Sequence, residues 1–105
     1  IIVRMDQVAV FKALANKSRL QILHWMKNPQ QHFGGSCPGG GPRGKLVCVG
    51  EIQEKLGLSQ STASHYLAML MKAGLVVPRR EGQFTYYERN EDALKELSKF
   101  LREEI

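Results

Sequence analysis

Apolar residues recur at helical spacing in two segments near the start of the chain. The first covers residues 5–15 and predicts an amphipathic helix. The polar run from Asn16 to Ser18 offers capping side chains for a second helix. We expect that helix to end at Asn28, because the residue before Pro29 is pushed out of the helical region. The positions that define the two apolar stripes are Val8, Phe11, Leu14 and Ala15, then Leu20, Ile22, Leu23 and Met26.

Two further helices are expected in the middle of the chain, separated by about three residues. Gly57 ends the first of them, over about 50–56, because glycine readily adopts the left-handed conformation that follows a helix. Ser59 caps the second, over about 60–73. A short helix, a tight turn and a longer helix are typical of a helix-turn-helix.

A β-hairpin and a last helix complete the pattern. The runs 75–77 and 84–87 resemble strands, and Glu81-Gly82 between them is a tight-turn signal. Tyr86 and Tyr87 alternate in the returning strand, so we expect one to pack inward and the other to point outward. Asn90 caps a last helix whose single apolar face carries Leu94, Leu97, Leu101 and Ile105. The predicted fold is mainly α with a small β-hairpin: a winged helix-turn-helix of five helices and a two-stranded wing.

Composition limits the class of protein. With 105 residues, of which 43% are hydrophobic, the chain suits one globular domain over residues 1–105. Residues 29–45 are the exception, because they are rich in glycine and proline and predict a flexible loop. No apolar run approaches the roughly 18 residues of a membrane span. Residues 1–4 do not resemble a signal peptide, so we expect a cytoplasmic protein without membrane contact.

The net charge of +5 is unevenly distributed. Residues 90–105 hold three basic and five acidic side chains, so the positive excess lies in residues 1–89. A basic body suits a polyanionic partner, although a charged surface that only confers solubility would look the same. Only the arrangement of the charges can distinguish these two interpretations.

The helix predicted over about 60–73 carries the candidate chemistry. Ala63, Leu67 and Leu70 recur at core-facing spacing, which leaves small polar side chains on the other side. Hydroxyls and an amide at the start of a helix can approach base edges in the major groove, and the helix N-terminus suits phosphate. Capping serines are common, so this segment alone leaves an ordinary capped helix equally open. The candidate DNA-binding residues here are Ser59, Gln60, Ser61, Thr62, Ser64, His65 and Lys72.

Arg79 and Arg80 favour the DNA-binding interpretation. They precede the predicted hairpin turn, where a wing meets the backbone or the minor groove of double-stranded DNA. A solvated charged turn is the alternative, and paired arginines directly after a helix-turn-helix count against it.

The sequence resembles the ArsR/SmtB family of bacterial winged-helix repressors. The resemblance implies a homodimer built from the first and last helices, which binds an imperfect palindrome near a promoter until an inducer releases it. His65 and Tyr66 stand where Arg and His are frequent in that family, which affects the operator sequence that is expected. The segments that carry the resemblance are 11–16, 18–23, 58–64, 73–76, 79–82 and Tyr86-Tyr87.

The inducer is less clear from the residues. Many relatives bind thiophilic metals through Cys-x-Cys before the third helix, but here Cys48 is followed two residues later by Gly50. The family's other metal site uses Asp and His on the last helix, and residues 91–105 contain no histidine. Three alternatives remain: a metal or arsenic site from His32, Cys37 and Cys48, a thiol switch between the two cysteines, or a buried Cys48 with an incidental Cys37. We expect no cofactor.

An enzyme is the least favoured function. Residues 39–45 match half of a phosphate-binding loop, but Leu46 stands where Ser or Thr would bind magnesium, and neither a preceding strand nor a βαβ unit is expected. His24 and Trp25 receive no chemical role. The expected function is a sequence-specific DNA-binding transcriptional regulator, most simply a homodimeric repressor released by an inducer or by thiol oxidation. The alternative is a winged-helix module for protein interaction without specific DNA binding.

Overall fold

The computed structural model describes residues 5–33 and 44–105. As expected, the described chain is mainly α with one antiparallel hairpin. None of its helices is long and apolar enough to span a membrane. In chain order the elements are α1 (Met5–Leu14), α2 (Lys17–Met26), α3 (Pro29–His32), α4 (Val49–Leu56), α5 (Gln60–Lys72), β1 (Val76–Glu81), β2 (Phe84–Arg89) and α6 (Glu91–Glu103).

Helix α3 is a correction to the predicted fold, which had five helices and a loop from residue 29. The described residues contain a sixth helix of one turn, closed by a hydrogen bond from the Phe33 N–H to the Pro29 carbonyl at 2.9 Å. Helix α2 ends at Met26, before the predicted end at Asn28. Proline lacks an N–H, which is not needed at the first position of a helix, so Pro29 can begin α3. Residues 34–43, the centre of the predicted loop, lie outside the described residues.

The predicted helix caps are confirmed. Gly57 follows α4 with a φ of 66°, the left-handed conformation expected after a helix. The side-chain oxygens of three capping residues each accept a backbone N–H three positions ahead: Asn16 from Arg19 at 3.0 Å, Ser59 from Thr62 at 3.2 Å and Asn90 from Ala93 at 3.1 Å.

The core lies between α2, α4 and α5. Its fully buried side chains include Ile22, Met26, Ile52, Leu67 and Leu70, each with no exposed surface. On one side, the buried Arg19 donates to the carbonyls of Ala13 and Lys12, at 2.6 and 3.2 Å, and so ties the end of α1 to α2.

Several predicted core positions are wrong. Ala15 is exposed because α1 ends at Leu14, and Ala13 takes the buried place instead. Leu20 is 53% exposed on the side of α2 that faces α6. In α6 only Phe100 is buried, while Leu101 is 48% exposed. The apolar face of α6 was predicted correctly, but the described part of the chain leaves half of it, Leu101 and Ile105, exposed.

The hairpin has a two-residue turn. Glu81 pairs with Phe84, and Gly82 supplies the positive φ, 63°, that this turn requires. The expectation that one of Tyr86 and Tyr87 points outward is wrong. Tyr86 is 1% exposed, and Tyr87, whose backbone pairs with Val47 in an isolated bridge, is half-buried against the main core.

The end of the wing is anchored by Arg89. Its guanidinium donates to both carboxylate oxygens of Glu91, at 2.9 and 3.1 Å, and to the Leu23 carbonyl at 3.1 Å. This hydrogen bonding holds the pKa of Glu91 below its ordinary value of 4.5, against an opposing effect of burial and with help from the positive charges of Arg89, Lys45 and Lys27. One arginine therefore joins β2, α6 and α2.

Candidate nucleic-acid interface

Helix α5 is held in place from one side only. Ala63, Leu67 and Leu70 have no exposed surface, so the helix cannot turn about its axis without exposing them. The opposite side faces solvent over the whole length of the helix. It carries Gln60, Ser61, Ser64, His65 and Lys72, all exposed as the sequence predicted, while Thr62 is half-buried.

The hydroxyl groups at the start of α5 form a local network. The Ser59 hydroxyl donates to Thr62 Oγ1 at 2.9 Å, accepts the Thr62 N–H, and lies 3.2 Å from Ser61 Oγ. These three side chains therefore form a capped first turn, which is compatible with either interpretation of the sequence. Gln60, Ser64 and His65, by contrast, make no side-chain hydrogen bond to any residue that the structure describes. Their polar groups are available to an external partner.

The two arginines of the wing have different surroundings. Arg79 forms an ion pair with Glu88 at 3.0 Å, and Arg80 donates to the Thr85 hydroxyl at 3.2 Å. Neighbouring residues of a strand point to opposite faces, so the two guanidinium groups lie on opposite sides of the hairpin. Glu88 offsets the charge of Arg79, whereas no described acidic side chain pairs with Arg80.

A cleft joins the two parts of this surface. Its volume is about 390 Å³, and it lies between the wing and the ends of α4 and α5 that face it. Gln60 of α5 lines it together with Gln53, Gln83 and Phe84, which were not among the predicted DNA-binding residues. None of the described residues that line the cleft is charged. These three residues belong to no motif, and only the fold brings them beside Gln60.

Comparison with known proteins decides the family. The sequence model of the bacterial regulatory proteins of the arsR family matches residues 43–77, which include the whole helix-turn-helix. The HTH-type transcriptional regulator YbzH of Bacillus subtilis is 48% identical over 103 residues, which cover 96% of this chain and all of that protein. The chain belongs to the ArsR family. It is thus a DNA-binding transcriptional regulator and not an enzyme.

Two other relatives are informative. The arsenical resistance operon repressor of B. subtilis is 32% identical over 95 residues, covering 90% of this chain and 73% of that protein. The homodimeric winged helix-turn-helix DNA-binding domain of Mb0332 from Mycobacterium bovis superposes with a TM-score of 0.65 at 35% identity, covering 90% of this chain and 74% of that one. The predicted winged helix-turn-helix architecture is confirmed.

The two familiar ArsR metal sites do not fit this chain. Gly50 has no thiol to join Cys48 in chelating an ion, and α6 carries Asp92 without any histidine. Among the described residues, no three or more His, Cys, Asp or Glu side chains come together as metal ligands. A metal inducer bound at either familiar site is therefore not supported by the residues present.

Cys48 and His32 occupy separate neighbourhoods. Cys48 precedes α4, is 7% exposed and packs with Tyr86 and Leu46, whereas the rings near His32 are His24 and Trp25. Cys48 is disulfide-bonded. Cys37, the only other cysteine of the chain, lies outside the described residues. The site of His32, Cys37 and Cys48 and the thiol switch remain predictions.

Proposed function

We propose that this ArsR-family chain is a homodimeric repressor that places α5 in the major groove of a promoter palindrome. The observation that carries the proposal is the pair of opposite faces on α5. One face is locked by Ala63, Leu67 and Leu70, while the other offers the unpaired polar groups of Gln60, Ser64 and His65. An amide that both donates and accepts suits direct contact with a base edge.

The remaining candidate residues suit the DNA backbone. Ser59, Ser61 and Thr62 surround the N-terminus of α5, where N–H groups and hydroxyls favour phosphate. Arg79, Arg80 and Lys72 add positive charge on the wing and at the far end of α5. Such contacts position a protein on DNA without reading its sequence. We therefore propose that Gln60, Ser64 and His65 read bases, and that the six residues of this paragraph position the protein on the DNA.

The dimer is proposed to form through α1 and α6. Leu101 and Ile105 are 48% and 76% exposed, and Leu94 and Leu97 line an open groove of about 670 Å³ between α6 and α2. The exposed Leu20 borders the same groove. A strongly amphipathic helix with an uncovered apolar face favours a second copy of the chain, which is also the state of the relative Mb0332.

The dimer is tested by Leu101→Glu. Light scattering during gel filtration should give twice the chain mass of 11.8 kDa for the wild type and a shift toward 11.8 kDa for the variant. Lys99→Gln is the matched control, because it changes the net charge by the same amount on the opposite face of α6. A wild-type monomer, or an unaltered dimer in Leu101→Glu, would reject this interface.

DNA binding is tested by genomic footprinting followed by mobility-shift titrations. We expect inverted repeats whose half-sites lie about 34 Å apart, one helical turn, as for other dimeric helix-turn-helix proteins. On such a site the logarithm of the affinity should fall by about 0.9 per phosphate neutralised for each tenfold increase in salt concentration. A salt-insensitive interaction, or no footprint, would instead favour a winged-helix module for protein interaction. As a repressor, the protein would act in the cytoplasm as a single domain over residues 1–105.

Thiol oxidation is proposed as a release signal. Cys48 lies against Tyr86 of the wing and directly before α4. It also lines the cleft that contains Gln60, so oxidation of its sulfur would alter the surroundings of a proposed base-reading residue. Mobility shifts with reductant and with oxidant should differ in affinity for the wild type and agree for Cys37→Ser. If oxidation leaves the wild-type affinity unchanged, the signal is a different one.

A further inference from the structure

Two of the chain's three histidines meet where α2 and α3 end. The ring centres of His24 and His32 are 5.9 Å apart, and the ring planes are inclined by 50°. Their separation of eight residues along the chain is not a ligand spacing on a single helix. The histidines become neighbours only because the chain reverses at Asn28 and Pro29 between α2 and α3.

The distance suits a shared metal ion. Two imidazoles that bind one ion through nitrogens about 2.0–2.1 Å from it keep their ring centres about 4.5–6.4 Å apart, depending on the angle between the two bonds. The inclined planes of His24 and His32 are not those of a stacked pair, and stacking would compete with metal binding. His24 is exposed and His32 half-buried, so water can reach the space beside both rings.

One of the two rings is held by packing. The His32 ring lies 6.4 Å from the Trp25 ring, which also meets Phe33 edge to face at 6.4 Å. Phe33 is buried, and so is Pro29 at the other end of α3. Packing therefore holds the His32 ring in place, while the exposed His24 ring can change its orientation. A fixed ligand reduces the conformational entropy lost on binding an ion.

We propose that His24 and His32 bind a divalent transition-metal ion of the Ni²⁺, Cu²⁺ or Zn²⁺ class. Imidazole nitrogen is a preferred ligand for these ions and a poor one for Mg²⁺ or Ca²⁺. The described residues hold no third His, Cys, Asp or Glu in a common cluster, so water completes the coordination. Lys55, whose ammonium lies 5.4 Å from the Trp25 ring centre, adds a nearby positive charge, which keeps the site weaker than one with carboxylate ligands. The site is separate from both familiar ArsR metal positions and does not depend on the proposed DNA contacts.

Trp25 reports on this site directly. It is the only tryptophan of the chain, and its ring is next to His32. Paramagnetic Ni²⁺ or Cu²⁺ at the site should quench its fluorescence in a saturable titration with one ion per chain. His24→Gln and His32→Gln should each weaken Ni²⁺ binding by about tenfold or more, because each removes one of two protein ligands. Calorimetry with Zn²⁺ should give the same order of affinities.

The third histidine provides the matched control. His65→Gln removes the same side chain from the exposed face of α5, away from Trp25, and should leave the titration unchanged. Far-UV circular dichroism identifies any variant that has lost its fold, and the exposed position of His24 makes His24→Gln the variant on which the test depends. A quench that persists in His24→Gln and His32→Gln, or no saturable quench of the folded wild type, overturns the proposal. Neither outcome bears on DNA binding.

Discussion

Individual polar side chains of α5 differ in how they are already bonded. The Ser59 hydroxyl is committed to Thr62 and lies beside Ser61, whereas Gln60 and Ser64, one turn apart on the exposed face, have no described hydrogen-bond partner. The sequence pattern was enough to predict that these polar residues lie near the start of a helix. The pattern could not distinguish the side chains that cap the helix from those that make no described hydrogen bond, because this depends on the rotamers that the side chains adopt.

Gln60→Ala should relax sequence choice. Loss of a good base contact costs about 1–3 kcal/mol on the preferred site and nothing on a site where the contact is never made. Competitive mobility shifts on the footprinted operator and on a scrambled duplex measure the difference. An equal loss on both duplexes would assign Gln60 to the backbone.

Arg80→Ala should weaken binding to every duplex by a similar factor. The side chain is exposed on the wing, and no described carboxylate pairs with it, so its charge is available to phosphate. The slope of log affinity against log salt should become shallower by about 0.9. Lys99→Ala removes the same charge from α6 and is the control. A slope that both variants change equally would point to a nonspecific charge effect.

The helices of this chain are largely predictable at their ends, because polar caps and glycines act locally. Asn16, Gly57, Ser59 and Asn90 all have the predicted role. Helix α3 was not predictable in this way, because Pro29 is equally consistent with the end of one helix and the start of another. The outward position of half of the α6 stripe was also unpredictable, since periodicity identifies an apolar face but not what covers it.

Ser59→Ala should destabilise the protein by about 1 kcal/mol, the usual cost of removing an N-cap hydroxyl. Ser64→Ala is the matched control, because Ser64 is exposed on the same helix and has no described hydrogen-bond partner to lose. Urea denaturation monitored by circular dichroism compares the two free energies of unfolding. Equal values would mean that the Ser59 cap contributes nothing.

The start of α6 should be sensitive to acid. Because the pKa of Glu91 is lower in the folded protein than the ordinary 4.5, the Arg89–Glu91 pair stabilises the fold above pH 4.5 and loses this effect as the pH falls through the lower, folded value. The pair is partly exposed, so its worth is about 0.5 kcal/mol. Glu91→Gln should reduce the decline in the free energy of unfolding below pH 4.5. A variant whose decline matches the wild type would contradict this.

At the scale of the whole molecule, DNA recognition and dimerisation are linked. Two recognition helices bind a palindrome as one unit only if α6 holds the two chains at a fixed separation. Neither the groove beside Leu20 nor the exposed Leu101 could be identified from one sequence as a contact between copies. The hydrophobic pattern identifies the apolar face of α6, but not the second copy of the chain that is proposed to cover it.

Leu101→Glu should therefore affect two DNA sites differently. Affinity for the full palindrome should fall by an order of magnitude or more, because the second half-site no longer benefits from a linked partner. Affinity for an isolated half-site should change little, since α5 and the wing are untouched. Mobility shifts on both duplexes make the comparison. Parallel losses would mean that the variant damages the DNA-binding surface itself.

Asn90 is the single residue between the wing and α6, and it has almost no freedom of its own. Its side-chain oxygen accepts the Ala93 N–H, its amide donates to the Gly74 carbonyl at 2.9 Å, and its backbone N–H bonds the Leu75 carbonyl at 2.9 Å. If α6 forms the proposed dimer interface, these three hydrogen bonds are expected to couple the orientation of α6 to that of the hairpin. A small tilt of α6 about the molecular twofold axis would swing the tip of the wing, so a signal received far from the duplex can reach it mechanically.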